Sequence, residues 1–129
     1  MQIKHINDVP GHPAPQSPFS HAVVANGFAF VSGQTGAGAT IQEQTRQALR
    51  NVEKILQAAD SSLAHVVKVT VLLARPELFR EMNEAYAEFF PGAKPARSVA
   101  RLGVEMPNVL VSIEAIAVAP PSEANLPTM

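Results

Sequence analysis

Apolar and polar residues near the amino end of the chain follow a pattern typical of β-strands. The segment HAVVANGFAFVSGQ contains two β-rich runs joined by Asn26-Gly27. Because both of these residues reach positive φ at little cost, they predict a two-residue type I′ turn and therefore a β-hairpin. The turn fixes which residues face each other: Ala25 with Phe28, Val23 with Phe30, and His21 with Ser32. The polar groups of the hairpin are thus expected at its open end.

Two later segments follow the helical period. Apolar residues recur at helical spacing through IQEQTRQALRNVEKILQAA, which predicts a first helix over this segment. Thr40 and Glu43 fit a capping box, in which each side chain satisfies the backbone N–H of the other residue. A second helix is predicted in PELFREMNEAYAEFF, where Pro76 suits the first turn and Pro91-Gly92 ends the helix.

The remaining apolar runs predict further strands. The run from Val66 to Ala74 has too few polar residues to alternate, so we expect an inner strand covered on both faces. Two more strands are predicted from Arg97 to Leu102 and from Val109 to Val118, and a short edge strand from Gln2 to Ile6. The order β, ββ, α, β, α, β, β indicates an α+β fold, with two helices on one face of a mixed sheet. The other apolar face then needs a cover, which a symmetric oligomer would supply.

The two ends of the chain differ from the middle. Four prolines fall within residues 1–18 and predict a leading segment that cannot sustain a helix or an inner strand. The Pro-rich residues 120–129 are expected to form a peripheral tail. A chain of 129 residues is long enough for one compact domain, so we interpret residues 1–129 as a single domain.

Composition and charge exclude several classes of function. Hydrophobic residues make up 47% and charged residues only 16% of the chain, which favours extra burial at a subunit interface. Ten basic and eleven acidic residues give a formal charge of −1, so no overall positive field concentrates nucleic acid, and we expect no nucleic-acid partner. The chain has no cysteine, and its four histidines lack the spacing of a metal site, so no metal is expected. No apolar run is long enough for a signal peptide or a membrane span, and we expect a cytoplasmic protein that does not bind membranes.

Two charged residues on predicted strands are candidates for chemistry. Glu114 lies within a nearly apolar strand, where a carboxylate is expensive to desolvate and needs a partner or a task. The alternative is a residue that reaches water near an edge or interface, or one that forms a plain salt bridge. Arg97 begins the preceding strand, where a guanidinium could bind a small carboxylate bidentately. An ordinary solvated surface arginine remains the alternative.

Two further sites are less specific. Ser32-Gly33-Gln34 ends the hairpin, and a glycine there allows a ligand to approach the backbone, although a bulge that ends the strand would also use glycine. Asn83 lies within a helix of good helix formers and indicates a tertiary contact, with an exposed helical asparagine as the alternative.

Six segments, in this order and spacing, resemble the RidA/YjgF family of reactive enamine and imine deaminases: SPFSHAVVANGFAFVSGQ, IQEQTRQALRNVEKIL, VVKVTVLLA, MNEAYAEFF, KPARSVARL and SIEAIAV. The resemblance spans about residues 14–118. It implies a chorismate-mutase-like α+β fold that assembles as a barrel-like homotrimer with three clefts between neighbouring subunits. That assembly agrees with the uncovered sheet face expected from the pattern alone.

The resemblance also implies roles for individual residues. Arg97, in the family's PAR-S/T string, would bind the substrate carboxylate, and Glu114, in the E-A-I-A ending, would position or activate a water. Asn83 would line or support the cleft, and the S-G-Q string would place Gly33, next to Ser32, near the reacting end of the substrate. Together these roles require Arg97 and Glu114 to face one crevice shared by adjoining chains.

Three departures from the family pattern affect the predicted site. The family commonly has P-Y-S-Q where this chain has Pro18-Phe19-Ser20-His21, so Phe19 keeps the ring but lacks the hydroxyl. The frequent cysteine two residues after the arginine is Val99 here, which is compatible with wall packing. The loop after Gln34 is shorter than usual.

The function implied by this resemblance is the hydrolytic deamination of reactive 2-imino acids or enamines, such as 2-iminobutanoate or 2-iminopropanoate, to 2-oxo acids and ammonia. No cofactor is required. The leading alternative is a non-catalytic binding or regulatory protein that takes a small carboxylate metabolite in the same intersubunit cleft. A third possibility, ribonuclease activity, ranks lowest because the chain has no basic stripe or set of aromatic residues for stacking on bases.

Overall fold

The structure is a six-stranded sheet with two helices, in the order of elements that the sequence predicts. The computed structural model describes residues 2–120. Its strands and helices are β1 (Ile3–Ile6), β2 (Ala22–Ala25), β3 (Phe28–Gln34), α1 (Ile41–Ala58), β4 (Val66–Leu73), α2 (Phe79–Ala87), β5 (Ala96–Arg101) and β6 (Val111–Val118). Short 3-10 turns at Leu63–His65 and Pro76–Leu78 precede β4 and α2. The predicted tail lies, from residue 121 onward, outside the described residues.

The hairpin of β2 and β3 forms as predicted. Asn26 and Gly27 have φ of 51° and 82°, the positive values that a type I′ turn requires. Ala25 faces Phe28 and Val23 faces Phe30, and the backbone N–H of Ser32 donates to the carbonyl of His21 at 2.9 Å. The hairpin pairs on one side with β1, and β3 pairs on the other side with β6.

The strands are arranged in the order β1-β2-β3-β6-β4-β5. All neighbouring strands are antiparallel except β4 and β5, which run parallel and are connected through α2. The predicted mixed sheet is therefore confirmed, and β4 and β6 lie inside it. Strand β4 carries Thr70, which pairs with Glu114 of β6, and Val69, which pairs with Arg97 of β5.

Both helices pack on one face of the sheet. Helix α1 contacts β3, β6 and α2. Alternate residues of the strands point towards the helices and form the core with the apolar stripes of α1 and α2. The largest fully buried apolar side chains come from both layers: Leu49, Val52, Ile55, Leu56, Met82, Val69, Val71, Val111 and Ile113.

The opposite face of the sheet is open. Phe28, Phe30 and Val118 point from it and are more than a third exposed. Strand β4 alternates between buried and partly exposed positions. The prediction that β4 is covered on both faces is thus wrong for one chain, because the helices cover only one side. The predicted uncovered face is present.

The ends of the helices differ from the predictions in three details. Pro76 begins a 3-10 turn, Pro76–Leu78, and helix α2 itself begins at Phe79. Thr40 caps α1 by accepting from the N–H of Glu43 at 3.2 Å, but the Glu43 carboxylate accepts from the N–H of Ala39 rather than from that of Thr40. Helix α2 ends at Ala87, and the next three residues form turns bonded to the third residue back. Pro91 limits these turns, because a proline disfavours helical backbone in the residue before it, here Phe90.

Strand bounds differ from the predicted ones by one or two residues, and β5 begins at Ala96. The leading segment contains β1 and a turn in which Val9 bridges to His12. No helix among residues 2–120 is long and apolar enough to span a membrane.

A bulge interrupts β3 opposite β6. The pairing register shifts between Val31 and Gln34, and a Cβ built on Gly33 would lie 2.6 Å from the hydroxyl of Ser112. A side chain at Gly33 would therefore require the Ser112 hydroxyl or the bulge itself to shift.

Replacing Gly33 with alanine should lower the free energy of unfolding by about 1–3 kcal/mol, the usual cost of overpacking. Adding Ser112→Ala to that variant should restore most of the loss, since it removes the colliding oxygen. Urea denaturation measures both effects, and Gly92→Ala, where a Cβ meets nothing within 4 Å, is the control. Equal losses in Gly33→Ala and in the control would contradict the close approach.

Candidate functional site

Helix α2 holds the side chain of Arg97 at the β5 edge of the sheet. The Arg97 guanidinium donates from Nη1 to Oδ1 of Asn83 at 2.6 Å. Its central carbon lies 4.7 Å from the centre of the Tyr86 ring and 5.8 Å from the centre of the Phe79 ring. Such cation–π contacts and the single amide acceptor orient the guanidinium but leave most of its five N–H donors available.

No carboxylate among residues 2–120 lies within ion-pair distance of Arg97. The side chain is only partly exposed, and its partner Asn83 is neutral. The positive charge is therefore held in place without being compensated. A site of this kind favours a small anionic ligand, above all a carboxylate, which guanidinium binds bidentately.

Tyr86 and Phe79 also belong to this site, although neither residue was among the candidates predicted from the sequence. Burial raises the pKa of the Tyr86 hydroxyl, and the nearby Arg97 charge acts in the opposite direction. The helical spacing could have identified both rings, because residues 79, 83 and 86 share one face of a helix. Beside them, Val99 and Phe79 line a depression of about 250 Å³ at the sheet edge, so Val99 forms part of its wall.

Glu114 lies on the open face of the sheet, in a second depression of about 190 Å³. Phe30 and Ile116 supply apolar walls, and Lys68 and Thr70 supply polar groups. The sequence analysis expected the carboxylate to be costly to bury, but Glu114 is exposed in a single chain because no helix covers this face. The Glu114 carboxylate would lose contact with water only if another molecule covered the open face of the sheet.

Arg97 and Glu114 do not meet within one chain. Val69 of β4 pairs with Arg97, whereas the next residue, Thr70, pairs with Glu114. Because paired residues share a face and successive residues alternate, Arg97 points to the helix side and Glu114 to the open side. One chain thus carries two separate halves of the predicted site.

The hairpin end brings Phe19, Ser32 and Gly33 together. The Ser32 hydroxyl donates to the carbonyl of Ser20, and the exposed Phe19 ring contacts His21 edge to face. Gly33 lies against Ser112, which is two residues from Glu114 on the same strand face. Gly33 is therefore associated with the Glu114 half, whereas Asn83 and Val99 are associated with the Arg97 half.

A histidine pair holds the leading segment against this end of the hairpin. His21 is buried and its Nε2 is 2.7 Å from the carbonyl of Pro13, while Nε2 of His12 is 3.1 Å from Oε1 of Gln34. The two rings are 4.6 Å apart, and burial lowers the pKa of His12. The sequence analysis missed this contact, because the spacing of the two histidines gives no sign of it. No group of three metal-ligating side chains occurs within residues 2–120.

Comparison with known proteins relates this geometry to a family. The family model described as endoribonuclease L-PSP matches residues 10–119. A RutC family protein from Pyrococcus horikoshii is 44% identical over 113 residues, covering 81% of this chain and 90% of that protein. The 2-iminobutanoate/2-iminopropanoate deaminase of the mouse is 38% identical over 117 residues, covering 84% and 87%.

A solved structure shows the same fold. The crystal structure of the yeast protein YEO7 superimposes with a TM-score of 0.86 at 32% identity, covering 92% of this chain and all of that one. The predicted α+β fold of the family is thus confirmed. With a family model that matches nearly the whole described chain, the protein belongs to the RidA/YjgF family.

Proposed function

We propose that this protein hydrolyses reactive 2-imino acids or their enamine tautomers, such as 2-iminobutanoate and 2-iminopropanoate, to 2-oxo acids and ammonia. The observation that carries the proposal is the Arg97 guanidinium, which Asn83 and Tyr86 hold in place with no carboxylate partner among residues 2–120. The name of the mouse relative, a 2-iminobutanoate/2-iminopropanoate deaminase, supports the same substrate class.

In this mechanism Arg97 binds the carboxylate that every 2-imino acid carries. Two parallel N–H···O bonds fix both the position and the rotation of the substrate, so the imine carbon is held at one place. The rings of Phe79 and Tyr86 support the guanidinium from the helix side. Arg97 therefore supplies binding and orientation.

Glu114 acts as the general base. A water bound to its carboxylate gives up a proton to Glu114 as the water oxygen bonds to the imine carbon. Since the substrate reacts as the iminium, the product of this attack is a neutral carbinolamine. Glu114 then returns the proton to the carbinolamine nitrogen and the carbon–nitrogen bond breaks to release ammonia, while the hydroxyl gives its proton to Glu114 as it becomes the carbonyl of the 2-oxo acid. Imines already hydrolyse spontaneously in water, so positioning and one base suffice and the mechanism needs no cofactor.

The complete site would require a second copy of the chain. Strands β5 and β6 flank β4, so Arg97 and Glu114 are about 10 Å apart across the sheet as well as on opposite faces. A four-carbon acid cannot contact both groups of one chain. We therefore propose a homotrimer in which Arg97 of one subunit and Glu114 of its neighbour face one cleft, with the exposed Phe30 and Val118 covered by the assembly.

A second candidate is a protein that binds a carboxylate metabolite in the same cleft without converting it. It is favoured by Phe19, which is half exposed at the hairpin end and offers a ring but no hydroxyl to a ligand or water. Turnover of an imino acid separates the two functions, because a pure binding protein would show a thermal shift with 2-oxobutanoate and no turnover.

Arg97→Ala should lower kcat/KM for 2-iminobutanoate about 10- to 100-fold, mostly through KM, because the charge-assisted bonds to the carboxylate are lost. An amino-acid dehydratase can generate the imine in the assay, and release of 2-oxobutanoate above the spontaneous rate measures turnover. Arg50→Ala, an exposed residue on α1, is the matched control and should retain full activity. An undiminished rate in Arg97→Ala would contradict the assigned role.

Glu114→Gln should lower kcat about 100-fold or more and change KM little, since the amide keeps the shape but cannot accept the proton. The same coupled assay gives both parameters. Glu105→Gln, at another exposed position, controls for the loss of one negative charge. A variant with normal kcat and raised KM would show that Glu114 binds substrate instead of acting as the base.

Mixed assemblies test whether the site is shared. At 2-iminobutanoate concentrations well below KM, Arg97→Ala and Glu114→Gln chains should each be nearly inactive alone. Co-assembled in equal amounts, they should regain about one quarter of wild-type turnover, because one quarter of the subunit interfaces then combines an intact Arg97 with an intact Glu114. Co-assembly of Arg97→Ala with the double variant should stay inactive. Native mass spectrometry reports the subunit number and the mixing, and mixed assemblies without recovery would rule out a site shared in this way.

A further inference from the structure

The depression that contains Glu114 also contains a hydroxyl and an ammonium group to which the proposed function assigns no role. Thr70 of β4 is the direct cross-strand partner of Glu114, and Lys68 lies two residues before it on the same face. The Cβ atoms of directly paired residues in antiparallel strands are about 5 Å apart. The Thr70 hydroxyl is thus the polar group that the sheet itself holds beside the Glu114 carboxylate.

Lys68 fixes the direction in which Thr70 donates. Its Nζ donates to Oγ1 of Thr70 at 3.0 Å and approaches the carbonyl of Val69 at 3.5 Å. An ammonium has only donors, so the threonine oxygen must accept this bond, and the Thr70 O–H is left to donate elsewhere. An ionised carboxylate has only acceptors. Across the two strands, the Thr70 hydroxyl is therefore a hydrogen-bond donor and the Glu114 carboxylate is an acceptor.

Among the hydrogen bonds of residues 2–120, none joins Thr70 to Glu114, and no ion pair joins Lys68 to Glu114. The volume of the depression, about 190 Å³, is several times the volume of about 30 Å³ that one water occupies in the liquid. It has room for a water and for the end of a small ligand. Phe30 and Ile116 close its apolar sides, so the polar contacts available there come from Glu114, Thr70 and Lys68.

We infer that Thr70 is a further catalytic residue, which holds the attacking water together with Glu114, and that Lys68 is the positioning residue that orients its hydroxyl. The Thr70 O–H donates to one lone pair of the water oxygen, and the water donates one hydrogen to Glu114. The other lone pair then points to the imine carbon and forms the new bond. The water proton moves to Glu114, while Thr70 and Lys68 keep their protons. This inference rests on the proposed function of Glu114.

Thr70→Val tests the hydroxyl, because valine keeps the branched shape that suits a strand. We expect kcat to fall about tenfold and KM to change less than twofold, since the lost bond holds water and not substrate. Thr70→Ser, which keeps the hydroxyl, should retain most of the activity. Equal melting temperatures and equal oligomer mass for the three proteins exclude a merely structural effect.

Lys68→Met tests the orienting role. We expect kcat to fall several-fold, and the double variant Lys68→Met/Thr70→Val should be no slower than Thr70→Val, because Lys68 acts only through that hydroxyl. If Lys68 bound the substrate carboxylate instead, Lys68→Met would raise KM and its effect would multiply with that of Thr70→Val. That result would overturn the assignment of Lys68.

The same experiment separates failure of this inference from failure of the proposed function. Wild-type turnover that is lost in Glu114→Gln but unchanged in Thr70→Val overturns only the role of Thr70. If the wild-type protein shows no turnover of 2-iminobutanoate or 2-iminopropanoate, or if Glu114→Gln is fully active, the proposed function of Glu114 is wrong and the inference falls with it.

Discussion

The alternation of side chains along β4 and β6 places Arg97 and Glu114 on opposite faces of the sheet, so that one chain cannot bring the two groups together. Val69 and Thr70 are neighbours in the sequence, yet one pairs with Arg97 and the other with Glu114. A strand sends successive side chains to opposite faces, and a shift of one residue would reverse every one of them. The buried Val69, Val71 and Leu73 hold the register, because a slip would expose all three to water. The core therefore fixes the separation of the two charged groups.

Each half of the site takes its chemistry from the face on which it lies. On the helix face, α2 supplies two aromatic rings and an amide that immobilise the guanidinium of Arg97. On the open face no helix is present, and Glu114 is surrounded by what the neighbouring strands offer, a hydroxyl and an ammonium. The anchoring group is thus held by tertiary packing, whereas the proposed base is held by the sheet alone.

The sequence predicted those parts of the fold that depend on local chemistry. Asn26-Gly27 determined the hairpin and its register, and the periodicity of α1 determined its bounds almost to the residue. The early end of α2 and the hydrogen bond from the N–H of Ala39 to the Glu43 carboxylate depend on backbone geometry, which the spacing of apolar residues does not show. The pattern also could not show that Glu114 is exposed, since an apolar strand has the same sequence whether its second face meets a helix, another chain or water.

The candidate site was predicted less completely than the fold. Arg97, Glu114, Asn83 and Gly33 were identified from their residue types and their positions on predicted elements, and a family resemblance then gave each of them a role. Neither source could identify the contact of Tyr86 with Arg97 or the cross-strand pairing of Thr70 with Glu114, because both depend on which residues are neighbours in space. The contact of His12 with His21 is of the same kind.

Placing the two charges on opposite faces has a chemical advantage. If Arg97 and Glu114 were neighbours on one face, they would form an ion pair, and a ligand would have to break it before binding either group. With Asn83 as its hydrogen-bond partner, the guanidinium is oriented by a neutral oxygen and keeps its full charge for a carboxylate. An aspartate at position 83 would orient the guanidinium equally well but would neutralise it. The intervening sheet therefore prevents an ion pair between Arg97 and Glu114 of the same chain, and the neutral amide of Asn83 leaves the guanidinium charge available to a ligand.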